Sequence, residues 1–200
     1  MHDGLRHLNP WVFAVALVAL LLASPALAGS AQRLELTYNL LLETRTDAEL
    51  AGPLDGFDSG DGFKLQLLPK QDCHVYLVVS RDAETFELFF PDRHDVRDDN
   101  RLKRRRGFVW PGQGWLRFDD QKGVERVYLI VSAVPVPELE KRYAEDRDVF
   151  PESVLTDLRD KYGAHGKYRR QMKGDRVEVR FKGRRGRPAV LVEEIALRHL

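Results

Sequence analysis

A basic tract with aromatic neighbours is the part of the chain best suited to hold a ligand. Four consecutive cations are followed by aromatic side chains, and a Pro-Gly turn separates the two tryptophans of this region. Guanidinium and ammonium groups beside aromatic rings can hold polymers that carry phosphate groups or sugars. The pattern predicts a site for an anionic ligand or glycan polymer formed by Lys103, Arg104, Arg105, Arg106, Trp110 and Trp115.

Two simpler interpretations of these residues remain open. Charged side chains also protect the edge strands of a sheet from pairing with other chains. Large aromatic side chains beside a turn also cover the end of a sandwich core. The cations and the aromatic side chains of the predicted site therefore each have an alternative, structural role.

The C-terminal part of the chain carries a second basic group. Residues 165–187 contain ten lysines and arginines against Asp175 and Glu178, although the net charge of the whole chain is only +1. Such an asymmetry indicates a surface for anionic partners. If the C-terminal hairpin folds beside the first tract, the cations that join it are Lys167, Arg169, Arg170, Lys173, Arg184, Arg185 and Arg187.

The loop at residues 92–100 is the densest set of potential metal ligands. It contains Asp92, His94, Asp95, Asp98, Asp99 and Asn100. A Ca²⁺ loop would need a glycine near its middle and a bidentate glutamate at its end, and this loop has neither. Arginines alternate with the acids and neutralise them. We therefore predict no metal and no cofactor, and expect Asp99 and Asn100 to bond to nearby backbone amides in a turn.

Catalytic motifs are absent from the sequence. It contains no Gly-x-Ser-x-Gly, no His-Glu-x-x-His and no phosphate-binding loop, and the histidines at 74, 94, 165 and 199 are scattered. Cys73 is the only cysteine, which excludes an intramolecular disulfide and favours a structural role. The sequence predicts a protein that is not an enzyme.

The N-terminal 28 residues have the organisation of a secretory signal peptide. A short polar stretch precedes an apolar run at residues 11–23, and Ala26-Leu27-Ala28 provides the small residues of a cleavage site. We expect cleavage after Ala28 and a periplasmic or secreted protein. The alternative is that this segment is not cleaved and anchors the protein in the membrane. We expect no other membrane contact. Export makes a cell-envelope protein or an anionic polymer the expected partner, and excludes nucleic acid.

Period-two patterning dominates residues 29–200, which we expect to form a single domain. Residues 33–43, 63–68, 74–80, 85–90 and 125–134 alternate as strands do, and residues 175–198 hold further C-terminal strands. Residues 138–162 have helical composition, with Pro151 in a first helical turn and Gly163 as a stop. The predicted fold is mainly β: an antiparallel β-sandwich or open barrel of seven to nine strands, with a short two-helix insertion.

Residues 63–136 resemble a bacterial family known as domain of unknown function 4384. The order of landmarks carries the resemblance: Val75-Tyr76-Leu77, then Leu88-Phe89-Phe90-Pro91, Asp99-Asn100-Arg101, Val109-Trp110-Pro111 and the strand at 127–134. The sequence departs from the family at Asp82-Ala83-Glu84, where a glycine is usual. The resemblance implies a compact β domain of exported or membrane-associated proteins, and it implies no reaction.

Three functions follow in order of preference. The first is an exported, non-catalytic module that binds another envelope component, in particular a protein, through a sheet edge or the basic C-terminal face. The second is the binder of an anionic ligand or glycan described above. An enzyme of unrecognised type is the third. A flat exposed strand edge would favour the first, and a continuous aromatic groove the second.

Overall fold

The computed structural model describes residues 31–52, 54–80, 84–92, 99–163 and 166–200. Strands predominate, as the period-two pattern predicts. Their bounds are β1 (Arg33–Glu43), β2 (Ala48–Ala51), β3 (Gly56–Phe57), β4 (Gly62–Pro69), β5 (Cys73–Ser80), β6 (Thr85–Phe90), β7 (Arg101–Leu102), β8 (Phe108–Trp110), β9 (Leu116–Arg117), β10 (Gly123–Ser132), β11 (Val149–Pro151), β12 (Lys167–Lys173), β13 (Arg176–Lys182) and β14 (Val190–His199).

The strands form two sheets. The first has the order β12-β13-β1-β4-β8, and β2 and β9 pair with parts of β1 and β4. The second has the order β11-β6-β5-β10-β14-β3, and β7 pairs with β5. Neighbouring strands are antiparallel except for β14 and β3, which are parallel.

The main hydrophobic core lies between the two sheets. Alternate residues of β1, such as Leu34 and Leu36, are fully buried there, together with Val177 and Val179 of β13. The second sheet contributes the inward side chains of β5, β10 and β14 to the same cluster. Burial of apolar surface contributes about 25 cal/mol of stability for each Å². This layer is therefore the main source of stability in a protein without a disulfide.

Two helices cover the outer face of the second sheet. Helix α1 (Pro137–Ala144) and helix α2 (Ser153–Leu158), which continues as a π-helical turn (Arg159–Gly163), bury Leu139 and Leu155 against this face. Both faces of β10 are therefore covered, which explains why its sequence is apolar on both sides.

The β-sandwich with a helical insertion is confirmed, and three local predictions are corrected. Pro151 ends the edge strand β11 instead of lying in a helix, because β11 pairs with β6 and helix α2 begins only at Ser153. The predicted loop at 47–62 contains β2 and β3, which pair with β1 and β14. The strand count exceeds seven to nine, since several strands span only two to four residues and leave no periodic signal.

Candidate functional site

The outer face of the first sheet, at its β12 edge, concentrates exposed cations. Burial of Val177, Val179 and Phe181 turns the alternate residues of β13 outward. In antiparallel strands, directly opposed residues share a face, so the partners of these residues on β12 and β1 also point outward. We call this surface the basic face; its residues are Arg33, Glu35, Lys167, Arg169, Gln171, Lys173, Arg176, Glu178, Arg180 and Lys182.

Cations face cations across the strands of the basic face. Arg169 lies opposite Arg180, and Lys173 lies opposite Arg176. Lys182 lies between Lys167 on β12 and Arg33 on β1. Like charges directly opposite each other destabilise a sheet. An anionic partner would relieve this repulsion on binding.

Two carboxylates offset only part of the charge on the basic face. The Lys173 ammonium lies 2.7 Å and the Arg180 guanidinium 2.8 Å from the Glu178 carboxylate. Hydrogen bonds from these two cations lower the pKa of Glu178 to about 2. Arg180 also lies 3.3 Å from Glu35. Among the described residues, the remaining cations have no ion-pair partner; they are Arg33, Lys167, Arg169, Arg176 and Lys182.

Strand β12 also has a free edge within the described part of the chain. It pairs only with β13, and all seven of its residues are exposed. Backbone N–H and C=O groups that point away from β13 are therefore available to a further strand. Hydrogen bonds to these groups would add to the charge attraction, as in recognition by β-strand addition.

A buried carboxylate anchors β12 from its inner side. Glu193 on β14 is 3% exposed and accepts a hydrogen bond from the Tyr38 hydroxyl at 2.9 Å. Arg170 Nε donates to Glu193 at 3.0 Å, and the Tyr168 hydroxyl donates to its other oxygen. Burial and the nearby Glu193 charge raise the pKa of Tyr38, which keeps its hydroxyl protonated. The network directs Arg170 inward and leaves Arg169 on the basic face.

A groove of about 400 Å³ opens beside this network, between β12 and β14. Its lining includes Tyr168, Arg170 and Glu193 of the network, together with Leu54 and Arg159. The charged groups within it already bond to one another, so the groove is a less suitable anion site than the basic face.

Residues 56–135 match the model of a family described as a domain of unknown function, DUF4384. We call residues 56–135 the DUF4384 segment. The match confirms the resemblance seen in residues 63–136 of the sequence. Comparison with curated proteins and with solved structures gave no match.

The DUF4384 segment extends from β3 to β10 and supplies strands to both sheets. The strands of the basic face, β1, β12 and β13, lie outside it. Among the described residues, no helix is both long and apolar enough to cross a membrane.

The predicted basic tract lies in the DUF4384 segment, at the edge of the first sheet opposite β12. Lys103, Arg104, Arg105 and Arg106 are exposed in a turn that precedes β8. The Arg104 N–H donates to Asp72 at 2.9 Å, and Lys103 lies 3.5 Å from the same carboxylate. The Arg104 amide and the neighbouring cations lower the pKa of Asp72. Since three strands separate β12 from β8, roughly 19 Å, the two basic groups do not join.

The two tryptophans of the predicted ligand site lie on different sides of the first sheet. Trp110 is 5% exposed within the main core, with its ring 6.1 Å from that of Phe89. Trp115 contacts Lys64, which points outward between the buried Phe63 and Leu65. The pair therefore does not line one continuous aromatic groove.

Among the residues that the structure describes, the predicted hydrogen bond to a nearby backbone amide is present for Asp99 and not for the Asn100 side chain. Asp99 accepts a hydrogen bond from the Arg101 N–H at 2.8 Å. Asn100 bonds instead to two side chains, His74 at 3.0 Å and Glu140 at 3.2 Å, which links β5 to helix α1. Of the other potential ligands in the weighed Ca²⁺ loop, His94, Asp95 and Asp98 lie outside the described residues, as do the signal segment and the hairpin turn at 81–83.

Cys73 and Glu193 show what the sequence could and could not reveal. Cys73 is buried, and burial raises the pKa of its thiol to about 12, so it remains protonated at neutral pH.

The sequence analysis did not predict the hydrogen-bond network around Glu193. The sequence feature that could have revealed this network is the Glu193-Glu194 pair inside the apolar run at 189–197. An acid on the buried face of a strand needs a hydrogen-bond partner.

Proposed function

We propose that this protein is an exported, non-catalytic binding module whose basic face holds an acidic segment of another cell-envelope protein. The observation that carries the proposal is the register of cations across β12, β13 and β1, above all Arg169 opposite Arg180. Each such pair of like charges costs stability, and an anionic partner would relieve this cost on binding.

The free edge of β12 supports a protein partner in particular. An extended acidic segment could add to this edge through its backbone while its carboxylates reach the cations of the basic face. A polysaccharide or lipid headgroup could use the charges but could not form the strand-to-strand hydrogen bonds.

Export is the second part of the proposal. Its support is the signal-like segment at residues 1–28 and the resemblance to exported proteins that carry the same domain. In the cell envelope, acidic proteins and anionic polymers are available to the basic face. N-terminal sequencing of the mature protein that finds Gly29 as the first residue would support release after cleavage at Ala28.

A fluorescent peptide tests the binding function. We expect a strand-forming peptide of alternating glutamate and threonine to bind, with an affinity that falls as salt rises. The double variant Arg169→Glu/Lys182→Glu should lose this binding. A matched control, Arg105→Glu/Arg106→Glu, changes the same number of charges in the tract at the opposite edge and should bind normally.

Two results would contradict the proposal. One is equal binding of the acidic peptide by the wild type and the Arg169→Glu/Lys182→Glu variant. The other is loss of binding only in the Arg105→Glu/Arg106→Glu control, which would favour the alternative site at the basic tract.

A further inference from the structure

Two carboxylates and an imidazole converge where β10 begins and β14 ends. One ligand atom from each of Asp119, Glu125 and His199 lies within 4.8 Å of the others. The pairing of β10 with β14 sets this meeting, because Gly123 is opposite His199 and Glu125 is opposite Leu197. His199 is distant in the sequence from Asp119 and Glu125, and the register of β10 and β14 brings it to them.

The imidazole is buried, and both of its ring nitrogens have a hydrogen-bond partner. His199 is 4% exposed, and its Nδ1 lies 2.7 Å from the Gln121 carbonyl oxygen. A carbonyl can only accept, so Nδ1 carries a proton, and in the neutral imidazole the lone pair is on Nε2. A backbone carbonyl on the other ring nitrogen is the usual partner of a metal-bound histidine.

The loop between β9 and β10 is held by one of the candidate ligands. An oxygen of Asp119 accepts a hydrogen bond from the Gln121 N–H at 2.7 Å, which places the Gln121 carbonyl beside His199. The second oxygen of Asp119 makes no hydrogen bond within the described part of the chain. It is therefore available as a ligand.

The charge at this cluster is unbalanced. Neither Asp119 nor Glu125 has a lysine or arginine partner among the described residues. A carboxylate oxygen of Asp119 lies within 4.8 Å of one of Glu125, so the two ionised groups repel each other. A bound cation would supply the positive charge that the protein does not.

We propose that Asp119, Glu125 and His199 form a binding site for a divalent transition-metal ion, with Zn²⁺ as the ion of best fit. One imidazole nitrogen with two carboxylate oxygens suits Zn²⁺, whereas Ca²⁺ and Mg²⁺ prefer ligand sets made of oxygen alone. Ligands at about 2.1 Å from one ion lie at most about 4.2 Å apart. Since the three ligand atoms lie within 4.8 Å of one another, side-chain movements on the order of 1 Å or less bring them to this range.

Ser59 completes the surroundings of the site. Its hydroxyl lies 3.0 Å from His199 Nε2 and donates to it in the metal-free protein. Because a hydroxyl rotates freely, it can give up this bond when the nitrogen binds a metal. The Ser59 oxygen or a water molecule could then serve as the fourth ligand.

Calorimetric titration with ZnCl₂, after removal of adventitious metal with a chelator, tests the proposal. We expect a single Zn²⁺ site per chain, a higher Tm with Zn²⁺ and no comparable effect of MgCl₂. Asp119→Asn and Glu125→Gln should each weaken Zn²⁺ binding by at least tenfold. Both variants retain side-chain size, so they keep the test informative even if His199→Gln fails to fold.

His74→Gln is the matched control, since His74 is a partly buried histidine on β5 away from this cluster. It should bind Zn²⁺ as the wild type does. Absence of Zn²⁺ binding in the wild type would overturn the proposal. So would wild-type affinity in both Asp119→Asn and Glu125→Gln, or loss of binding only in His74→Gln.

Discussion

Arg169 and Arg180 face each other across the β12–β13 ladder on the exposed side of the first sheet. Arg180 bonds to Glu178 and lies near Glu35, while Arg169 has no ion-pair partner among the described residues. Arg169 therefore destabilises the sheet by its repulsion of Arg180, and it carries a positive charge that no carboxylate of the described residues offsets. Replacing Arg169 should change both the stability of the protein and its binding of anions.

Replacing Arg169 with glutamine should stabilise the protein and weaken its binding to an acidic peptide. Removal of one like-charge pair is expected to raise the free energy of unfolding by ~0.2–1 kcal/mol at low salt. The gain should shrink in high salt, where the repulsion is screened. Urea unfolding at two salt concentrations measures this, with the exposed Arg45→Gln as the control. A destabilised Arg169→Gln variant would contradict the account.

Replacing Glu178 with glutamine should destabilise the protein in a pH-dependent way. The pKa of Glu178 in the folded protein is lowered from 4.5 to about 2, so its contribution is complete above pH 4.5 and is lost as the pH falls toward 2. The difference in unfolding free energy between wild type and Glu178→Gln should therefore be largest near neutrality and vanish near pH 2.

Acid and urea titrations of both proteins would test this difference. Glu49→Gln, an exposed acid on β2, serves as the control and should show no such loss between pH 4.5 and 2. A constant difference between wild type and Glu178→Gln down to pH 2 would show that the Lys173 and Arg180 contacts are not what stabilises the carboxylate.

Replacing Glu193 with glutamine should destabilise the protein more than replacing its neighbour. Glu193 accepts charge-assisted hydrogen bonds from Arg170 and the two tyrosine hydroxyls, and the loss is expected to be ~1.5–3 kcal/mol. Glu194 points to the opposite, more exposed side, where its contacts with Arg126 and Arg159 contribute at most about 1 kcal/mol. Equal effects of Glu193→Gln and Glu194→Gln in chemical unfolding would contradict the role of the buried network.

The DUF4384 segment should not fold by itself. Strand β1 lies between β13 and β4, and β14 lies between β10 and β3, so residues 56–135 alone lose a central partner in each sheet. A fragment of residues 56–135 is expected to give the circular dichroism of an unfolded chain, and residues 31–200 a cooperative transition. Cooperative unfolding of the short fragment would refute the single domain that we propose for residues 29–200.

The strands that sequence reasoning located share one property. Strands β1, β5, β6 and β10 each bury most of at least one face, so apolar residues recur at every second position along that face. Strand β12 was missed because all of its residues are exposed, which removes the hydrophobic signal. An edge strand of this kind is defined by its neighbour and not by its own pattern.

The two candidate sites differ from the predicted one for a similar reason. The excess of cations in residues 165–187 was visible in the sequence, but their opposition depends on the β12–β13 register. The meeting of Glu125 with His199 depends on the β10–β14 register. Trp110 was placed in a ligand groove because its type fits one; burial in the core depends on the side of β8 that it occupies.

Hydrogen–deuterium exchange with and without the glutamate–threonine peptide tests the central claim most directly. If the basic face and the free edge of β12 hold an acidic segment, the amides of residues 167–173 that point away from β13 should become protected when the peptide binds. Protection there should disappear in the Arg169→Glu/Lys182→Glu variant. Protection at residues 103–110 instead, or no change at β12 under conditions where the peptide binds, would contradict the account.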